Sequence, residues 1–134
     1  MTFDIQARKC KYVNVSQLLG KTLVKIEHHG NDVLVFHTSV GETFGMYHSQ
    51  DCCESVYIED ICGDLQDLVG SPILLAEEVE GYTPVDYKFA YEPTSYTWTF
   101  YKFATAKGYV DIRWLGESNG YYSESVSFVQ YPTN

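Results

Sequence analysis

With 134 residues, of which 45% are hydrophobic and 16% aromatic, the chain is long enough to bury a core without metal or disulfide staples and too rich in packing residues to be disordered. Nine Lys and Arg against 18 Asp and Glu leave a formal net charge of −9, which argues against broad electrostatic attachment to nucleic acid or an anionic membrane and favours a basic partner. No apolar run approaches a membrane span, and the opening MTFDIQARKCKYVN lacks the apolar core of a signal peptide. A cytoplasmic protein is the expectation, with Cys10, Cys52, Cys53 and Cys62 reduced and packed as inert thiols.

In chain order, NVSQLLGK (14–21) reads as one short helical turn, capped by Asn14 or Ser16 and stopped by Gly20. TLVKIEHH and VLVFHTS are β-branched, apolar runs separated by Gly30-Asn31-Asp32, a first hairpin. ETFGMYHS and ESVYIED follow as a second hairpin, with Gln50-Asp51-Cys52-Cys53 near its tip. GDLQDLVGSP places Leu65, Leu68 and Val69 at helical spacing and is closed by Gly70 and Pro72. ILLAEEVEGY is another strand, and TPVDYKFAYEPTSY, with its two prolines, is the most loop-like segment. The remaining third, TWTFYKFATAKG, YVDIRWLGES and YYSESVSFVQY, reads as a three-strand meander with turns at Lys107-Gly108 and Asn119-Gly120. Strand alternation puts Trp98 with Phe100, Val110 with Ile112 and Trp114, and Val126 with Phe128, each set directed to a core. The whole is expected to be a single domain over 1–134 of the α+β class: a β-dominated antiparallel sheet of about seven or eight strands with one or two short helices.

Two stretches carry the candidate chemistry. CCESVYI (52–58) resembles YSESVSF (122–128), with Glu-Ser-Val recurring 124 − 54 = 70 positions later, either by chance or as a duplicated strand-turn-strand unit. Alternation aligns Glu54 with Val56 and Ile58, Glu124 with Val126 and Phe128, and His48 with Phe44 and Met46, so His48 and Glu54 can meet across the mouth of the second hairpin. The competing reading is that both glutamates accept hydrogen bonds from turn amides. The spacing of His48, Asp51, Cys52, Cys53, Glu54 and Cys62 fits no zinc pattern, so no metal and no other cofactor is expected. Around the third turn, Arg113, Asn119, Tyr121 and Tyr122 offer a cation, an amide and stacking rings of the kind that hold a base or nucleotide. The alternative roles are a salt bridge for Arg113, which shares the chain with only one other arginine, Arg8, and a tight-turn role for Asn119.

The segments MYHSQDCCESVYIEDICGDL and KGYVDIRWLGESNGYYSESV together resemble a group of small uncharacterised proteins encoded by bacteriophages and prophage-bearing bacteria, over roughly 17–130. The resemblance implies a viral setting and one β-rich domain; it transfers no catalytic residue. On that footing the leading expectation is a non-enzymatic counter-defence protein in the host cytoplasm that sequesters a small nucleotide-like ligand. The residues assigned to ligand contact are His48, Gln50, Glu54, Arg113, Trp114, Asn119, Tyr122 and Glu124, with no catalytic residue, no direct nucleic-acid or membrane contact, and self-assembly into a homo-oligomer left open. The first alternative is an acidic inhibitor of a basic host protein, which would gather Asp60, Asp64, Asp67, Glu77, Glu78 and Glu80 on one exposed face. The second is a nucleotide hydrolase with His48 and Glu54 as acid and base.

Overall fold

A computed structural model describes residues 9–132; Arg8 and most of the segment read for a signal sequence lie outside them. The described residues form nine strands: β1 (Lys11–Tyr12), β2 (Leu23–His29), β3 (Val33–Thr38), β4 (Thr43–Tyr47), β5 (Ser55–Cys62), β6 (Leu75–Gly81), β7 (Ser95–Thr105), β8 (Gly108–Ser118) and β9 (Ser127–Tyr131). They make two antiparallel sheets rather than one, ordered β1-β9-β4-β3-β2 and β5-β8-β7-β6. The β-dominated, antiparallel expectation holds, with more strands than foreseen. Among the described residues helix is confined to two 3-10 turns, Val15–Leu18 and Leu65–Leu68.

Both turns obey the capping chemistry of their sequence. Asn14 Oδ1 accepts from the Ser16 amide and Asp64 Oδ1 from the Gln66 amide, each at 2.9 Å, satisfying an otherwise orphaned donor. Gly20 and Gly70 follow with φ of +79° and +90°, a region that admits glycine without a Cβ clash. The two turns bury Val15, Leu18 and Leu68 against the core.

The first hairpin is β2–β3, as read. The second is not a hairpin. β4 pairs with β3 and β9 in one sheet, whereas β5 pairs with β8 in the other, so residues 48–54 carry the chain from sheet to sheet. The meander is corrected in the same way: β7 and β8 form a hairpin of two 11-residue strands, but β9 leaves them and joins β4, so 119–126 is a second crossover. Tyr47 faces Ser127 and Ser55 faces Glu117, which puts both crossovers at the same end of the sandwich.

The core lies between the sheets. Leu34, Phe36, Phe44, Met46 and Phe128 from the first meet Val56, Ile58, Tyr101, Phe103, Ile112 and Trp114 from the second. Phe36 and Phe103 approach with ring centroids at 5.9 Å, and Trp114 Nε1 donates to Met46 Sδ at 3.2 Å. Trp98 and Phe100 point the other way, a consequence of Trp98 lying opposite Leu115 rather than Trp114. Trp98 is nevertheless buried, because the loop 82–94 lies over that face. Its Tyr87 meets Trp98 edge-on at 4.9 Å, and Thr83 Oγ1 accepts from Trp98 Nε1 at 3.0 Å.

Candidate functional site

The two Glu-Ser-Val segments do lie together, each at the end of a crossover. Glu54 opens the return into β5. Its Oε2 accepts from His48 Nε2 at 2.7 Å and the Asp51 amide at 2.9 Å, and its Oε1 accepts from the Cys52 amide at 2.9 Å. The other ring nitrogen of His48, Nδ1, lies 2.7 Å from the Ser125 carbonyl on the second crossover. Both ring nitrogens therefore lie against oxygen acceptors, which fixes the plane of the ring. Both side chains are buried, at 4% and 0% exposure for His48 and Glu54. The hydrogen bond from His48 outweighs desolvation and, with the loop amides, holds the Glu54 carboxyl down at about 2. Gln50 closes the knot by donating to the Glu54 carbonyl at 2.6 Å.

Glu124 does the corresponding work on the second crossover with hydroxyls in place of amides. Thr97 Oγ1 donates to it at 2.7 Å, and Ser118 Oγ donates to its other oxygen. Burial pushes its carboxyl up, and the hydrogen bonds from Ser118, Thr97 and Ser95 outweigh that and hold it below its usual range. The segment runs so close over β8 that a Cβ on Gly116 would sit 2.5 Å from the Glu124 carbonyl oxygen. Asn119 accepts from the Tyr121 amide at 2.9 Å and is followed by Gly120 with φ of +94°, the turn role weighed against ligand contact.

The remaining sequence-assigned residues are dispersed. Trp114 is a core side chain with no exposed surface, because its alternation places it between the sheets. Arg113 lies on the opposite face of the second sheet from the His48–Glu54 knot. There Nε donates to Glu59 at 2.5 Å and Nη1 to Asp86 at 3.3 Å, with the guanidinium 5.6 Å from the Trp98 ring centroid. These are salt bridges, the alternative role weighed for Arg113, while Asp111 on the same strand faces Lys102 at 3.7 Å. Tyr122 is half-buried and meets Tyr121 edge-on. His48, Gln50, Glu54 and Glu124 thus gather at one end, while Arg113 lies on the outer face of the second sheet and Trp114 in the core.

Three features escaped the sequence reading. Cys52 and Cys53 are joined in a disulfide, where reduced thiols were expected; adjacency and a loop folded back onto Glu54 bring the two sulfurs together. On the outer face of the first sheet, Glu27 accepts from His37 at 2.5 Å and His29 at 3.1 Å, and the His37 hydrogen bond chiefly lowers its carboxyl. The period-2 spacing of Glu27 and His29 and their cross-strand approach to His37 were the available signal.

The third feature is an acidic cleft. At the crossover end, Glu78, Glu80, Thr99, Ser125 and Val126 line a space of about 310 Å³. Tyr101 Oη donates to Glu78 at 2.8 Å, and neither Glu78 nor Glu80 meets a cation among the described residues. Both glutamates belong to β6, the last strand of its sheet, and no backbone hydrogen bond from elsewhere in the described chain reaches its outer edge. The single acidic face expected of an inhibitor does not form as a whole. Asp60 is on β5, Asp64 caps the second 3-10 turn and Asp67 lies within it, while Glu77, Glu78 and Glu80 are on β6, at the opposite edge of the sheet from β5.

Among the described residues no group of three or more His, Cys, Asp or Glu is placed to hold a metal ion, and no helix is long and apolar enough to cross a membrane. Fold and site define a small antiparallel two-sheet protein whose crossovers are tied by the carboxylates of Glu54 and Glu124 beside an acidic sheet edge. The chain belongs to the DUF7448 family, a domain of unknown function whose model matches residues 16–128. No curated protein and no solved structure matches it.

Proposed function

We propose that the protein is a non-enzymatic binding module that takes an extended, basic segment of a partner protein along β6, with a lysine or arginine side chain seated in the acidic cleft. The observation that carries this reading is the pair Glu78 and Glu80, which meet no cation among the described residues, on the cleft side of an edge strand whose outer edge takes no backbone hydrogen bond from the described chain. An unpaired edge recruits an extended peptide through main-chain hydrogen bonds, and alternate side chains of that peptide then fall on the cleft side. The net charge of −9 steers a basic partner and repels a phosphate-bearing one. On the resemblance to bacteriophage proteins, the partner is a basic host protein that this module occupies and inhibits.

The nucleotide-sequestering reading has less support, because Arg113 is already engaged by Glu59 and Asp86. A hydrolase built on His48 has less still, because both ring nitrogens are engaged. The test is calorimetric titration with an acetylated, amidated heptapeptide alternating lysine and threonine, alongside a panel of cyclic and linear nucleotides. The expected result is peptide binding that weakens with salt and is lost in Glu78→Lys/Glu80→Lys. Binding unaffected by that charge reversal, or saturable binding of a nucleotide instead, overturns the proposal.

A further inference from the structure

Cys52 and Cys53 are exposed at the tip of the β4–β5 crossover and joined to each other, while Cys10, just before β1, and Cys62, at the end of β5, are free thiols. A disulfide stabilises a fold chiefly by restricting the unfolded chain, and the effect grows with the length of the closed loop. With a sequence separation of 1, this one closes no loop of consequence, so stability is not its use. What remains is its chemistry: exposed disulfides are the ones open to attack by a thiol from solution.

The bonded pair is also tied into the knot described above. The Cys52 amide donates to Glu54 Oε1 at 2.9 Å and the Cys52 carbonyl accepts from Gln50 at 3.3 Å, so both backbone groups of this residue are held. Glu54 holds His48, and His48 holds the Ser125 carbonyl, on the wall of the acidic cleft. Opening or closing the ring changes which torsions are available between Cys52 and Cys53, directly beside these contacts.

We propose that Cys52–Cys53 is a site of reversible thiol–disulfide exchange with low-molecular-mass thiols, and that its state is relayed through Glu54 and His48 to Ser125. In the reducing direction an external thiolate attacks one cysteine sulfur, the S–S bond breaks, and the other cysteine leaves with the electron pair and takes a proton from water. A second external thiolate attacks the mixed disulfide at its external sulfur, that S–S bond breaks, and the first cysteine leaves with its electron pair and takes a second proton from water. The protein gains two electrons and two protons, and two external thiols become one disulfide. The exposed Asp51 carboxylate next to the pair repels an anionic thiol. Cysteamine, a cationic thiol, therefore reduces the pair faster than glutathione at low salt, and the gap narrows as salt is added.

The test equilibrates the full-length protein with oxidised or reduced glutathione, quenches, alkylates under denaturing conditions and weighs the intact protein. The expected result is two alkyl groups after oxidation, on Cys10 and Cys62, and four after reduction. Hydrogen exchange at 50–54 and at 123–126 then differs between the two forms, and Cys52→Ser/Cys53→Ser follows the reduced one. Four alkylated cysteines after oxidised glutathione overturn the site. A change in mass with unchanged exchange at 123–126 overturns the relay. Neither readout uses the lysine–threonine peptide, so failure of peptide binding and failure of the thiol site are told apart.

Discussion

Gly116→Ala is the sharpest probe of how the second crossover is seated. A Cβ built on Gly116 meets the Glu124 carbonyl oxygen at 2.5 Å, the Glu124 Cβ at 2.8 Å and its Cα at 3.1 Å, so the obstacle is mainly backbone and cannot swing aside as a side-chain tip would. Overpacking of this kind costs about 1–3 kcal/mol, and a backbone obstacle puts the cost at roughly 2–3. Alanine recovers about 0.5–1 kcal/mol of the strand penalty that glycine carries, leaving a net loss of roughly 1–2.5 kcal/mol. An unfolding entropy of about 2.1 cal/mol/K per residue gives roughly 0.28 kcal/mol/K for this chain, so Tm falls by about 4–9 °C. Differential scanning calorimetry reads that shift, and hydrogen exchange locates it, with faster exchange at 123–126. A Tm within about 2 °C of wild type, with unchanged exchange there, refutes the close seating of Glu124 on β8.

Arg113→Ala removes the latch between β8, Glu59 and Asp86 and uncovers one face of Trp98; a loss of about 2–3 kcal/mol and faster chymotryptic cleavage near Tyr87 and Phe89 are expected, measured by denaturant melts and limited proteolysis. Glu54 has a folded-state carboxyl lowered from 4.5 to about 2. Its contribution to stability is therefore complete above the unfolded value and is lost as pH falls from about 4.5 through about 2, and Glu54→Gln flattens the Tm-against-pH curve in that window. Asp64→Ala deletes the cap on the Gln66 amide and costs about 1 kcal/mol, read as a lower urea midpoint with unchanged m.

Local chemistry was readable residue by residue. The caps Asn14 and Asp64, the stops Gly20 and Gly70, the β2–β3 and β7–β8 hairpins and the alternation that puts Val110, Ile112 and Trp114 on one side depend on neighbours within a few positions. So did the meeting of His48 with Glu54, which are six residues apart. Partner choice was a different matter. The connection 48–54 has the same composition whether it turns a hairpin or crosses between sheets, and alternation looks alike in either case, so β4 with β5 and β8 with β9 read as neighbours when each pair is split. The face on which Trp98 and Arg113 stand, the burial of Trp114, and the placing of Glu78 and Glu80 beside Ser125 all follow from that split. Period-2 patterning specifies which side of a strand is apolar; only long-range packing of two sheets specifies which strand lies beside it.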